Sequence, residues 1–354
     1  MKTLLRLLLK TQHQRNRSAP DQTEKGMTLV ELLVGAIMAF LVITPMLAFV
    51  VDMLNTDRRE QVKSNTEQDI QAAVDFIAQD LSQAIYIYDN NPALTSTATT
   101  TPTGIPAIQN FLPPKNQNQT PILVFWKRQV LKNSLPIRST QQPNQCTDKD
   151  PCNDTYVLSL VAYYKVTDAA PTWCQPSGGT CPTRIVRYQI QDGVQNPDAA
   201  SPSQRYYTGV KDSQKHSSAF NIGTANEAGF DISKPTEKVT KSQDWGSPEV
   251  LVNYIDHSPG PPVTATECTT ALGNPTTQTG TKIPETTLKI TGLEDPTPTN
   301  SFYACVNTAR NVARVTIRGN SLRRLQADAN YNSNKSAFFP TASVQVQGRG
   351  ARGQ

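Results

Sequence analysis

The sequence predicts an α+β chain: a long N-terminal helix, half membrane-spanning and half amphipathic, packed on a mainly antiparallel β-sheet head with long loop insertions. Three observations predict it. Residues 27–51 carry a single formal charge, Glu31, in 25 positions. The segment that follows repeats apolar side chains at spacings of three and four. Beyond it, short β-branched and aromatic runs alternate with polar, turn-forming stretches, the pattern of strands joined by surface loops.

As a helix rising about 1.5 Å per residue, 27–51 is roughly 37 Å long, enough to cross a hydrocarbon core of about 30 Å. The basic segment before it ends in Lys25-Gly26, and no small-residue cleavage site of a secretory leader lies beyond the apolar run, so any cut falls before the span. A carboxylate at a membrane centre costs about 2.5–3.5 kcal/mol on insertion scales. Glu31 therefore calls for a partner. Pro45 lacks an N–H and predicts a kink within the run.

Past the span, Ile70, Ala73, Val74, Ile77, Leu81, Ala84 and Ile85 form one apolar stripe, leaving Gln71, Asp75, Gln79 and Asp80 to face elsewhere. Span and stalk then make one helix reaching about Tyr86, within an amphipathic section 52–88. Strands are expected at 121–126 (PILVFW), 156–166, 184–190, 250–255, 301–306, 312–318 (VARVTIR) and 343–347, in a β-rich region 120–350. In VARVTIR, Ala313, Val315 and Ile317 alternate with Arg314, Thr316 and Arg318, which predicts a half-buried strand with a wet face. The stretches 95–103, 141–151, 192–205 and the Thr/Pro-rich 258–300 read as loosely packed surface insertions, either plain connectors or recognition loops for glycan or a partner subunit.

The formal net charge is +5, of which +4 lies in the first 26 residues. The basicity thus predicts a cytoplasmic N-terminus and not a nucleic-acid surface.

Gly26-Met27-Thr28-Leu29-Val30-Glu31 resembles the prepilin processing site of type IV pilins and type II secretion pseudopilins, with Met where Phe is usual. The resemblance implies that residues 1–26 are a leader peptide, cut by the prepilin peptidase between Gly26 and Met27, with N-methylation of Met27. It also implies a partner for Glu31: the charged amino terminus of a neighbouring subunit in a growing filament. A plain signal anchor with a chance glutamate is the competing reading. The motif covers about a tenth of the chain. The order of runs in the head is similar to the larger, J-type minor pseudopilins and their type IV pilus counterparts, and the tail FFPTASVQVQGRG to those of hormogonium polysaccharide secretion. This implies a pilin-like fold and a single-pass inner-membrane protein with a periplasmic head, reaching the cell surface or pilus on assembly. Its partners would be the prepilin peptidase, other pilins and pseudopilins of the filament, the inner membrane and a polysaccharide cargo. The alternative within the family is a minor pilin of a motility or adhesion pilus whose head binds glycan.

All six cysteines follow the span, an even number suited to an oxidising compartment. Sequence proximity favours Cys146 with Cys152, Cys174 with Cys181 and Cys268 with Cys305, one of fifteen pairings. Zinc is the rival, but there is no Cys-x-x-Cys pair. No catalytic site or cofactor is expected: His13 leaves with the leader, and His216 and His257 stand alone, with no His-Glu-x-x-His, Gly-x-Ser-x-Gly or phosphate-binding glycine loop. Asp148, Asp150, Asn153 and Asp154 offer oxygens to Ca²⁺, without the glycine and terminal glutamate of a helix-loop-helix calcium site, so a solvated loop is favoured. Arg318, Arg323, Arg324, Arg349 and Arg352 form a basic tail that either meets an acidic polymer or lines a wet sheet face.

Overall fold

The computed structural model describes residues 28–91, 104–113, 118–138, 140–201, 204–220, 245–261, 263–277, 279–292 and 299–350. The chain divides into two compact units, 1–58 and 59–354. Helix α1 (Leu29–Ser82) runs unbroken past Pro45. In the first unit its side chains from Leu29 to Leu54 are exposed all round.

In the second unit α1 becomes one-sided. Thr66, Ile70, Ala73, Val74, Ile77 and Leu81 are buried, at the spacing that puts them on one face. The helix ends four residues before the expected Tyr86. Residues Ala84–Ile87 instead form strand β1, because an alternating Ile-Tyr-Ile run satisfies its backbone better as a sheet edge than as a last helical turn.

The head contains two antiparallel sheets, where a single sheet had been expected. The first joins β1 to β2 (Gln119–Leu135), β3 (Asn153–Val166), β4 (Thr183–Gln191) and β5 (Glu249–Ile255), in that order. The second is β6 (Lys289–Ile290), β7 (Phe302–Asn307), β8 (Val312–Arg318) and β9 (Thr341–Gln347). One apolar core unites them: the α1 stripe meets Phe125 and Tyr163 of the first sheet and Ala304, Val306, Ala313, Val315 and Ile317 of the second. Gly319, just past β8, allows the helix this close. A Cβ there would lie 2.3 Å from Ile70 Cδ1 and 2.7 Å from Thr66 Cγ2.

The Thr/Pro-rich insertion is not a loose connector where it is described. It folds into α3 (Glu267–Ala271) and α4 (Glu285–Leu288), after the short α2 (Ile105–Ile108) upstream. Cys268, Leu272 and Leu288 pack with Tyr303 and Cys305. Glu285 accepts from the Cys268 and Thr269 amides, both at 2.8 Å. This insertion covers the second face of the sheet, so the wet face expected for VARVTIR is largely absent: Thr316 and Arg318 are buried, and only Arg314 is half exposed.

Two polar clusters fix the core. At the first, Asp80, expected to face away from the stripe, is buried. Its carboxylate accepts from Lys127 of β2 at 2.6 Å, from Tyr163 of β3 at 2.7 Å and from Arg187 Nε of β4 at 2.8 Å. Burial pushes its pKa up, yet the charges of Lys127 and Arg187 outweigh this and hold it below its ordinary 3.8. Burial first, and then the same carboxylate, drive the Tyr163 hydroxyl well above its usual range. At the second cluster, Asp256 is fully buried and accepts from Arg318 Nε at 3.0 Å and from Ser258 Oγ at 2.7 Å, where β5 leaves the first sheet to bridge Gly319.

Asp80→Ala should cost about 3–5 kcal/mol, because it leaves the buried Lys127 without its carboxylate and Arg187 with only its longer contact to Glu249 at 3.5 Å. Urea unfolding of the detergent-solubilised chain, followed by tryptophan fluorescence, measures it. Since the folded carboxyl titrates below the unfolded one, its ionic contribution is complete above the unfolded value and fades as pH falls through the lower folded value. The difference between wild type and Asp80→Ala should therefore shrink below about pH 4.

Candidate functional site

The feature that the head does not explain is the first unit's apolar rod. From 29 to 51 it contains large side chains exposed in every direction, with Leu29 at 84 %, Phe40 at 70 % and Phe49 at 70 %. A helix apolar all round needs a non-aqueous or protein surround. It is also long and apolar enough to cross a membrane. The first charge beyond it is Asp52, followed by Asp57, Arg58 and Arg59, so the apolar segment ends abruptly.

Thr28 begins the helix. Its Oγ1 accepts from the Glu31 amide at 3.3 Å, and its carbonyl accepts from the Glu31 and Leu32 amides at 3.0 and 3.2 Å. Thr28-Leu29-Val30-Glu31 is thus a helix start of the Ser/Thr-x-x-Glu kind, a signal available in the sequence. Glu31 lies in the first turn, where the helix dipole favours a carboxylate. That placement is electrostatically milder than the centre of the span. Gly26 and Met27 lie outside the described residues, as do His13, Arg352 and the 95–103 stretch.

The structure joins Cys146 to Cys152, Cys174 to Cys181 and Cys268 to Cys305, closing sequence separations of 6, 7 and 37 residues. The last ties the α3–α4 insertion to β7. Among the described residues no three His, Cys, Asp or Glu side chains gather as a metal site. Around the acidic loop, Asp150 meets Arg138 at 3.3 Å and Asp154 accepts from the Asn133 amide at 2.7 Å.

The two histidines are not bare loop residues. His216 stacks on Tyr206, with ring centroids 4.7 Å apart. His257 Nε2 is 3.1 Å from Asn330 Oδ1, and burial lowers its pKa. The basic tail is likewise dispersed, and its first two members are buried, not displayed to a polymer. Arg318 serves Asp256, while Arg323, fully buried, donates to the carbonyls of Thr180 at 3.0 Å and Gly178 at 3.3 Å. Arg324 pairs with Asp69 and lies 4.4 Å above the Tyr254 ring. A run of arginines in a chain with several buried carbonyls and carboxylates signals internal partners as readily as external ones.

Comparison of the chain with family models, with curated proteins and with solved structures finds no match.

The bridge spanning 37 residues removes the most freedom from the unfolded chain, roughly 4 kcal/mol against about 2 for each short loop. Replacing Cys268 and Cys305 together by serine should therefore lower the urea midpoint more than either other double replacement. Equal losses across the three pairs would count against that ranking.

Proposed function

We propose that the chain is a minor pseudopilin: a non-enzymatic subunit of a filament of the type IV pilus and type II secretion kind that primes assembly and drives export, with exopolysaccharide as cargo. One observation carries the reading. A Gly-Met-Thr-Leu-Val-Glu sequence at residues 26–31 leads into a helix whose apolar side chains from 29 to 51 are exposed on every side and whose first turn holds the only acid of the run. An anchor needs the apolar length alone, whereas a polymerising subunit also needs a cut exposing a new amine and an acid placed to meet it.

In this reading the leader stays on the cytoplasmic side and the prepilin peptidase cuts at Gly26/Met27. The exposed amine of Met27 is methylated. The rods then pack side by side, each Glu31 carboxylate drawn to a neighbour's terminal ammonium in a low-dielectric surround. The head, with its own core and three disulfides, is carried on the periplasmic side.

Mass spectrometry of the membrane-extracted protein should find an amino terminus at N-methyl-Met27. An intact Met1, or a terminus beyond Val51, overturns the proposal. Glu31→Ala should leave cleavage in place and reduce incorporation into shear-released filaments at least about tenfold, the equivalent of one lost ion pair of 1.4 kcal/mol or more. Incorporation equal to wild type would reduce the chain to a tethered ectodomain.

A further inference from the structure

Within the head, a cleft of about 590 Å³ lies between α1 and β5. One wall is a single helix stripe, Asp69, Ala72, Ala73 and Phe76, spaced i, i+3, i+4, i+7. The opposite wall is formed by the consecutive residues 250–254 of β5, with Trp173 and Thr172 beside them. Side chains of a strand alternate between two faces. Residues 250–254 all border the cleft because two register shifts interrupt that alternation and because, among the described residues, no strand lies on the outer side of β5, where the main chain is presented.

That edge is open. β5 is the last strand of its sheet, paired on one side with β4. Its far end is occupied: the Tyr254 carbonyl accepts from the Asn320 amide at 2.8 Å, and the Asp256 amide donates to the Arg318 carbonyl at 3.0 Å. For 249–253, among the described residues, no backbone group outside β4 bonds to the strand. Two of the usual protections of an edge are missing here, since 250–254 contains no proline and no charged residue, while a bulge interrupts the strand near Tyr254. Ala72 and Ala73 keep the helix wall low enough for a chain to lie between.

The ends of the cleft are shaped as well. Tyr254 adopts a left-handed backbone conformation, φ +59°, at the bulge where the β4–β5 register shifts, a position that normally favours glycine. Tyr254 sits beneath the Arg324 guanidinium, which Asp69 and Thr66 hold in place. Asn253 Nδ2 donates to the Trp173 carbonyl at 3.0 Å, fixing the loop that carries the indole against the strand.

We infer that this cleft receives an extended peptide segment of a partner polypeptide, added as a further strand on the open edge of β5, with its inward side chains resting on Phe76, Trp173 and the Ala72–Ala73 floor. Main-chain hydrogen bonds to 249–253 supply the affinity, and the apolar helix wall selects apolar or aromatic residues at alternate positions. The site belongs to the head alone and does not depend on the pseudopilin reading.

The test uses the full-length chain in detergent and acetylated heptapeptides of threonine alternating with valine or phenylalanine, flanked by lysine for solubility. Each peptide is paired with a copy methylated at alternate main-chain nitrogens. Fluorescence anisotropy should show binding that N-methylation weakens at least about tenfold, since two or more backbone hydrogen bonds are lost. Hydrogen exchange of the amides in 249–253 should slow when the unmethylated peptide is bound. Ala72→Trp, at an exposed position, should abolish binding by filling the cleft, whereas Gln71→Trp, exposed on the neighbouring face, should not. No binding by any peptide at about 1 mM overturns the proposal. So does binding indifferent to N-methylation, or a cleft that takes a neutral dextran oligosaccharide in an Ala72-dependent manner while refusing the peptides.

Discussion

The head is organised by the burial of one carboxylate. An apolar stripe holds a helix against a sheet but tolerates rotation and sliding, because hydrophobic contact has no direction. Asp80 removes that freedom. It can be buried only where Lys127, Tyr163 and Arg187 converge, and these come from three successive strands, β2, β3 and β4. Rotating the helix by one residue would part the buried Asp80 from both Lys127 and Arg187, leaving Lys127 without its carboxylate and Arg187 with only its longer contact to Glu249 at 3.5 Å. The net gain from such a cluster is small, because desolvation offsets most of the attraction, but the penalty for any other arrangement is large. The cluster therefore supplies register more than stability.

The same device recurs at the junction of the two sheets. Asp256 is fully buried yet fully used, by Arg318, Ser258 and Asn320. β5 crosses to β8 at this point through the Ile255–Gly319 bridge. Chain leaving one sheet for another exposes main-chain groups that must find partners. A carboxylate with several acceptor sites, next to a guanidinium with several donors, absorbs them in little volume. Arg323 does comparable work for the Cys174–Cys181 loop, donating to the carbonyls of Gly178 and Thr180. The arginines thus hold loops against the core from within.

Much of this architecture can be read in the chain, and the exceptions share a cause. The strand runs were recognisable because their period is local: 312–318 coincides with β8, and 250–255 with nearly all of β5. The helix stripe was visible for the same reason. Asp80 was in the pattern too, three residues after Ile77 and seven after Ala73, but a charged side chain at a stripe position reads as polar until its partners are known. Those partners lie 47, 83 and 107 residues away. Likewise, the alternation of VARVTIR correctly marks its inner face, while burial of its outer face depends on an insertion whose composition alone suggested solvent. The cleft beside β5 had no sequence signal of its own, because it is made of main-chain edge and of the smallness of Ala72 and Ala73.

In the apolar rod the energetic problem is the opposite one. Eighteen large apolar side chains between 29 and 54 are exposed, and at about 1.5–3 kcal/mol each their removal from water is worth tens of kcal/mol. That quantity keeps the rod out of water but cannot direct it from a bilayer into a filament, because lipid tails are as apolar as neighbouring leucines. On the pseudopilin reading, transfer between the two surrounds is nearly neutral for Leu, Val and Phe, so whatever selects the filament must come from groups that lipid cannot satisfy. The described span has one such side chain, Glu31, held in the first helical turn by the Thr28 start. On that reading a single acid suffices, because it has only to decide between two surrounds that the other side chains barely distinguish. In the proposed filament a chemically indifferent rod makes one well-placed charge decisive, just as the apolar stripe makes Asp80 decisive in the head.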